Sequence, residues 1–388
     1  MKYFFRGIIL AASVLHSISV AGDTNINNPK RISIDNLANV DEDFAYQGEY
    51  VGKVSAGRQK GQSIGLQVIA RGNGQFDATF LAGGLPGAGW DGFSQTSLQG
   101  IRADEQLLLK DDHYHIHVTS EHAEVRWFDG TLLGHMRKHV RMSPTLGASP
   151  PPNAQVLFNG VEKLALEGGE ITEDGLLTTG ITTAFPVTDF RLHLEFRTPY
   201  MPLAKGQSRG NSGVYIQQRY EVQILDSFGL TGEANECGGL YRQVSPDVNM
   251  CLPPLTWQTY DIGFQAAKWD EKGEKISNAH ITVLHNGKLV HQQREIVSKT
   301  GAGKKEGPDA LPIHFQHHGD PVRFRNIWLV TPGPTEDVLA SVQSYVFRKT
   351  SGDPHVKKWA FRIRCLRCKA KRQEARQKFR QAIQLQLK

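Results

Sequence analysis

"NSGVYIQQRYEVQILDS", Asn211 to Ser227, reads as two short apolar strands around a tight polar turn. Along Tyr220 to Asp226, residues 221, 223 and 225 share one side of a pleated strand, and residues 220, 222, 224 and 226 share the other. Tyr220, Val222 and Ile224 suit an inter-sheet core, which leaves Glu221 and Gln223 together on the non-core face. A plain solvent face would be content with Thr or Lys, so a carboxylate beside an amide asks for a reason.

Working outward, similar strands recur at short intervals from Val156 to Val330: "FRLHLEFRT", "WQTYDIGFQA", "AHITVLHNGKLVHQQ", "PIHFQHHG" and "VRFRNIWLV". No amphipathic helix interrupts them, which points to an antiparallel sandwich or jelly roll. "HNGK" is an Asn-Gly hairpin turn. The same parity puts His314, Gln316 and His318 on one face and Ile313, Phe315 and His317 on the other. Arg323 and Arg325 lie opposite Val322 and Phe324. If these strands are adjacent, their outer faces form a polar concave floor. For any single residue a cross-strand ion pair is the bland alternative, contributing roughly 0.2–1 kcal/mol. As a set, Glu, Gln, His and paired Arg suit a sugar or a polarised carbonyl. Asn211, Gln223, Tyr241, Gln316, Arg323 and Arg325 are therefore candidate substrate-binding residues, with Tyr241 equally able to pack under its loop.

Before this unit, period-2 strands run from Phe44 to Met142 with Gly or Asp-Gly breaks, giving a smaller β-rich domain over residues 43–142. "SPTLGASPPPN", residues 143–153, is expected as an extended linker. The expected organisation is a removed export signal at residues 1–21, a polar leader at 22–42, the two β units at 43–142 and 154–332, and a basic tail at 333–388. The apolar run Gly7 to Leu15 is too short to span a bilayer, and no later segment could. An exported, periplasmic, cell-surface or secreted location follows as an expectation. The net charge of +6 is concentrated after Arg348, so it argues for no nucleic acid contact by the core. In an exported protein Cys237 and Cys251 can pair as a disulfide, a matter spacing leaves open, while Cys365 and Cys368 form a lone C-x-x-C of low specificity. His113, His115 and His117 alternate on one strand face, a metal-capable row without an evident acidic partner.

The ordered motifs "NSGVYIQQRYEVQILDS", "GGLYRQVSP" with "PPLTWQTYDI", "ITVLHNGKLVHQ" and "IHFQHHGDPVRFRNIWLV" resemble the 3-keto-disaccharide hydrolase domain family over about residues 154–332. The first unit and linker also look like a glycine-rich β unit that precedes this domain in exported relatives. The resemblance implies an all-β chain with a C-terminal concanavalin A-like jelly-roll sandwich. It implies cleavage of glycosidic bonds in sugars oxidised to a ketone at carbon 3, as hydrolase or lyase. A 3-keto group acidifies the hydrogen on carbon 2, so a base can abstract it, the carbon 1 substituent can leave, and water can then add. Glu221 and His318 are the implied catalytic base and acid in open order, and they compete for a second role as ligands of a divalent cation. Gln223 and Gln316 would orient hydroxyls, and Arg323 and Arg325 would stabilise enolate charge. Where the family usually shows Leu-Gln-Asp-His-Gly, this chain has Phe315-Gln316-His317-His318-Gly319, and parity gives His317 a supporting place. The alternative is a non-catalytic carbohydrate-binding module or an adhesion protein.

Overall fold

The computed structural model describes residues 32–55, 58–333 and 336–350. The expected export signal and Cys365-Cys368 lie outside them. The described residues are all-β apart from short 3-10 turns and one helix.

Eight strands, β1 (Gly48–Val54), β2 (Ser63–Ala70), β3 (Gln75–Ala82), β4 (Gln95–Ala103), β5 (Gln106–Lys110), β6 (Tyr114–Val118), β7 (His122–Trp127) and β8 (Leu132–His139), form a closed antiparallel barrel in sequence order. Alternation drives closure: Tyr50, Leu66, Val68, Leu107, Ile116 and Val125 are fully buried and fill the interior. The β1–β8 seam is unusually close. A Cβ built on Gly52 would stand 2.0 Å from the backbone oxygen of His135. Gly52→Ala must therefore push the seam apart, and we expect a loss of at least the roughly 1–3 kcal/mol of ordinary overpacking, read by urea denaturation.

Two sheets follow, built from β9 (Gln155–Phe158), β10 (Leu166–Gly168), β11 (Ile181–Thr183), β12 (Phe190–Arg197), β13 (Ser212–Ile216), β14 (Tyr220–Ile224), β15 (Gln258–Gln265), a small β16 (Lys268–Trp269) and β17 (Lys275–Ser277) ribbon, β18 (Ala279–His285), β19 (Lys288–Ile296), β20 (His314–Phe315) and β21 (Arg323–Val330). One sheet has five strands in the order β10-β11-β20-β13-β14; the other has six, β19-β18-β15-β12-β21-β9. Val214, Val222 and Phe315 of the first meet Leu192, Phe196, Ile262 and Phe324 of the second in one core, making the jelly-roll sandwich. The β18–β19 hairpin turns through Asn286 and Gly287, both at positive φ, as Asn-Gly turns require. Helix α1 (Val338–Thr350) packs on β15 of the six-stranded sheet, its Val338 oxygen lying over Gly263.

The barrel and sandwich exchange side chains. Ile69 of β2 enters the sandwich core, while Tyr200 and Leu255 enter the barrel cluster. The described part of the polar leader, residues 32–42, is tied down: Ile34 pairs with Tyr200, and Asp41 accepts from the Tyr200 hydroxyl at 2.9 Å. The expected extended linker is also different. Residues 144–147 form turns, and Ser143, Thr145, Gly147 and Ala148 hydrogen-bond onto the six-stranded sheet, because that sheet's outer face carries buried polar groups that need partners.

Candidate active site

The five-stranded sheet presents its core residues inward and a polar set outward. Register across β14, β13, β20 and β11 aligns Glu221, Tyr215, His314 and Thr182 in one row. The next row aligns Gln223 with Gly213, whose oxygen accepts from Gln316 N at 2.8 Å. β13 and β14 are joined through Gln217 and Gln218, both at φ 51°, a left-handed turn held by the Gln217 amide donating to Val187 O at 2.8 Å.

Glu221 is the pivotal group. It is only 2% exposed, and burial pushes its carboxyl up to about 7, opposed in part by a hydrogen bond from the Tyr215 hydroxyl. Oriented with its nitrogen toward the carboxyl group, the Gln223 amide donates to Glu221 Oε1 at 3.0 Å and to Ser212 O at 2.7 Å. Oε2 is buried with no directed partner, as is Gln316 Oε1. Burial and Glu221 together raise the Tyr215 phenol, keeping it a proton-bearing donor. His314 is held at Nδ1 by Thr182 Oγ1 at 2.9 Å, and burial lowers its pKa, so it stands neutral at pH 7.

Two segments close over Glu221. Gly238 and Tyr241 donate backbone bonds to the free edge of β14, and Thr300 Oγ1 accepts from Glu221 N at 2.6 Å. A Cβ at Gly301 would lie 2.7 Å from the Tyr241 ring and 3.4 Å from Glu221 Oε2, so the carboxyl sits beneath this pair. The space for the carboxylate on the sheet side exists only because position 213 has no side chain: a Cβ there would stand 2.3 Å from Glu221 Oε1. We expect Gly213→Ala to displace the carboxylate and to lower any Glu221-dependent turnover at least tenfold, with a loss of roughly 1–3 kcal/mol in stability measured on the same sample.

The sequence-predicted residues divide. Glu221, Gln223, Gln316 and Tyr241 come together on this face. Asn211 stands at its rim, its side chain bonded to Gln207 O at 2.8 Å and its backbone N–H to Asp320 Oδ2 at 2.7 Å. His318 lies on the exposed turn after β20 and makes no hydrogen bond among the described residues. His317 is also exposed, its Nδ1 2.8 Å from Thr179 Oγ1, in the wall of an open cavity of about 460 Å³ that includes Arg323. Tyr215 and His314 were missed as site residues. Alternation along "SGVYI" marks Tyr215, and His314 shares the parity of Gln316; neither carries the charge signature that singled out Glu221.

Arg323 and Arg325 are a correction. β21 belongs to the six-stranded sheet, so both arginines point away from Glu221 on the opposite side of the sandwich. Arg323 pairs with Asp35 of the leader at 2.5 Å, and Arg325 with Glu195 Oε2 at 2.7 Å while stacking 4.0 Å over Trp257. Arg323 ties the leader to the sheet, while through Glu195 Arg325 joins a network around the buried His193. Its Nδ1 is 2.7 Å from Asp261 Oδ1, and its ring stacks on Trp328 with centroids 5.0 Å apart. Burial alone would lower His193, but Asp261 and Glu195 outweigh it and raise the imidazole to about 9. Burial likewise opposes the ionised Glu195, yet bonds from His193, Asn326, Arg325 and Gly147 hold it down to about 2.

A divalent cation does not suit the Glu221 site as built. Its one carboxylate is surrounded by amides and a phenol, His318 is on a surface turn, and no three His, Cys, Asp or Glu side chains among the described residues are grouped around one point. Cys237 and Cys251 are free thiols, both buried and hydrogen-bonded to each other, with Cys237 Sγ 3.2 Å from the Tyr260 hydroxyl.

The fold and this face define a jelly-roll sandwich domain with a buried carboxyl group on its polar side. Residues 153–330 match the profile of the 3-keto-alpha-glucoside-1,2-lyase-like domain family, which makes the sandwich a carbohydrate-active domain. Among solved structures, a candidate glycosyl hydrolase of Parabacteroides distasonis shares 31% identity over 47% of this chain and 86% of that one, with a TM-score of 0.44. A second from the same organism shares 18% identity over 47% of this chain and 95% of that one, with a TM-score of 0.35. No curated protein matches.

Proposed function

We propose that the sandwich cleaves glycosidic bonds in 3-keto-glycosides by abstraction of the carbon 2 proton, β-elimination of the carbon 1 substituent and hydration of the resulting enone. The observation that carries this reading is the buried Glu221, whose carboxyl is poised at about 7 with one oxygen lacking a partner. A base of that pKa holds substantial carboxylate at neutral pH and still releases its proton readily afterwards. The hydrogen it takes is activated by the adjacent ketone, so no stronger base is needed.

In this reading Glu221 Oε2 receives the carbon 2 proton. Tyr215, hydrogen-bonded to the same carboxyl group, is the neighbouring donor for the departing carbon 1 oxygen. The Gln316 amide faces the sugar hydroxyls and the enolate that forms on the carbon 3 oxygen, while Gln223, its two N–H donors held by Glu221 and Ser212, fixes the carboxylate. His314, neutral and pinned by Thr182, supplies a further directed hydrogen bond from the same row. Tyr241 and Gly301 must draw back to admit the sugar, and their return excludes water from the enolate until elimination is complete. No step uses a cation, and His318 is not the acid. We also take the protein to act after export, as its first residues suggest.

The test is release of a chromophoric alcohol from a 3-keto-glucoside, compared with the parent glucoside, with and without chelator. Release from the ketone alone, unaffected by chelator, is expected. Sugar binding without release would reduce the domain to a binding module, and equal cleavage of the parent glucoside would remove the elimination route.

A further inference from the structure

The elimination route leaves the hydration step without a base. Once the alcohol has departed, Glu221 holds the proton taken from carbon 2, and Tyr215 has given its own to the leaving oxygen. Adding water at carbon 1 then needs a group that takes a proton from that water while Glu221 returns its proton to carbon 2. Tyr215 is closed in: it is 6% exposed, and its hydroxyl accepts from Ala302 N–H and is bonded to Glu221. Glu221 itself lies beneath Tyr241 and Gly301. The sheet opens the other way. Glu221, Tyr215, His314, Thr182 and Glu167 stand in one row across β14, β13, β20, β11 and β10. His314 and Thr182 are partly exposed and Glu167 is exposed, so the path from solvent to the buried pair runs over His314.

Resting on that elimination reading, we propose that His314 is the general base of the hydration step, its Nε2 taking a proton from water as the water oxygen bonds to carbon 1. Two groups of β11 fix the ring: Thr182 Oγ1 lies 2.9 Å from Nδ1, and the Ile181 carbonyl also accepts from the imidazole. A carbonyl accepts only from an N–H, so β11 holds the protonated nitrogen, Nδ1, and the lone pair of the neutral ring falls on Nε2. Thr182 is thereby a positioning residue. The rings of His314 and Tyr215 are neighbours, with centroids 6.4 Å apart. The protons balance. Hydroxide adds at carbon 1, the enone electrons pass to the carbon 3 oxygen as an enolate, and Glu221 returns a proton to carbon 2. The imidazolium then hands the proton it took from water to the Tyr215 phenoxide. Carboxylate, phenol and neutral imidazole are all restored, and the free 3-keto sugar leaves.

The experiment follows two products of a 3-keto-glucoside carrying a chromophoric alcohol. The alcohol reports elimination, and the ratio of ultraviolet-absorbing enone to 3-keto-glucose reports hydration. The wild type should form 3-keto-glucose in step with the alcohol, without build-up of enone. In His314→Gln and His314→Ala, alcohol release should fall by no more than about tenfold while hydration falls by roughly 10²–10⁴-fold, so that enone accumulates. Thr182→Val should shift the same ratio toward enone and Thr182→Ser should restore it, with circular dichroism showing each variant folded; a purely structural role would not move that ratio. Wild-type hydration in both His314 variants would return the step to Tyr215 and overturn the proposal. Equal losses in the two steps would overturn it too, as would enone accumulating with the wild type while alcohol is released. No alcohol release by the wild type would instead end the elimination reading, and the proposal with it.

Discussion

Glu221→Gln should cut turnover by roughly 10²–10⁴-fold and, above about pH 7, stabilise the protein. General-base catalysis contributes roughly 10²–10⁴-fold, so kcat/KM on a 3-keto-glucoside should fall by about that factor. Wild-type kcat/KM should rise with pH along a limb centred near 7, the position of the buried carboxyl, and the variant should lose that limb. Stability moves the other way. Burial raises the folded-state pKa above its ordinary 4.5, so the folded chain holds this proton more tightly than the unfolded chain. The stabilising contribution is complete below about 4.5 and is lost as pH rises through about 7. At pH 8 the wild type therefore carries a buried charge costing on the order of 3 kcal/mol, which the neutral amide avoids. Urea denaturation at pH 4.5 and 8 should show the variant gaining relative to wild type only at the higher pH. A variant with undiminished turnover would end the assignment of Glu221 as base; an unchanged stability difference at the two pH values would end the buried-carboxylate account.

His193→Ala should be the most destabilising single change on the other side of the sandwich. His193 is fully buried between Asp261 and Glu195, and its loss leaves two carboxylates in the interior without their shared cation. Breaking a buried pair in this way costs about 3–5 kcal/mol. The raised imidazole pKa makes its stabilisation complete below about 6.5 and lost as pH rises through about 9. Glu195, depressed to about 2, contributes above its ordinary 4.5 and loses its contribution as pH falls through about 2. The network is thus fully favourable between about pH 4.5 and 6.5, and the deficit of the variant should be largest there. A deficit under about 1 kcal/mol at pH 6 would mean that the two carboxylates find other partners.

The polar network explains why Arg323 and Arg325 mislead a reader of the sequence. Alternation tells which residues of a strand share a face, and it places Phe324 in the core and both arginines outside, as the structure has them. It does not tell which sheet owns the strand. In a sandwich, two strands with outward polar faces look alike from sequence whether they are neighbours or stand back to back. β20 and β21 are close in sequence yet lie in opposite sheets, so His314 and Arg323 face opposite ways. Tyr215 was overlooked for a different reason: its phenol reads as core-forming, and only its register opposite Glu221 gives it a chemical partner.

Local alternation was enough to determine the all-β character of the chain, the core side of β14, and the pairing of Glu221 with Gln223 on its outer side. These depend on a two-residue period and the cost of burying polar groups, both of which are properties of neighbouring residues. Tertiary structure decided that Tyr215, His314 and Gln316 share the Glu221 face, that Gly213 opens room for the carboxylate, and that Gly301 and Tyr241 roof it. It also decided the pKa, since an exposed Glu221 on the same strand would titrate as an ordinary carboxyl group. Register between strands distant in sequence, and the exclusion of water by loops distant in sequence, arise only when the whole chain has closed on itself.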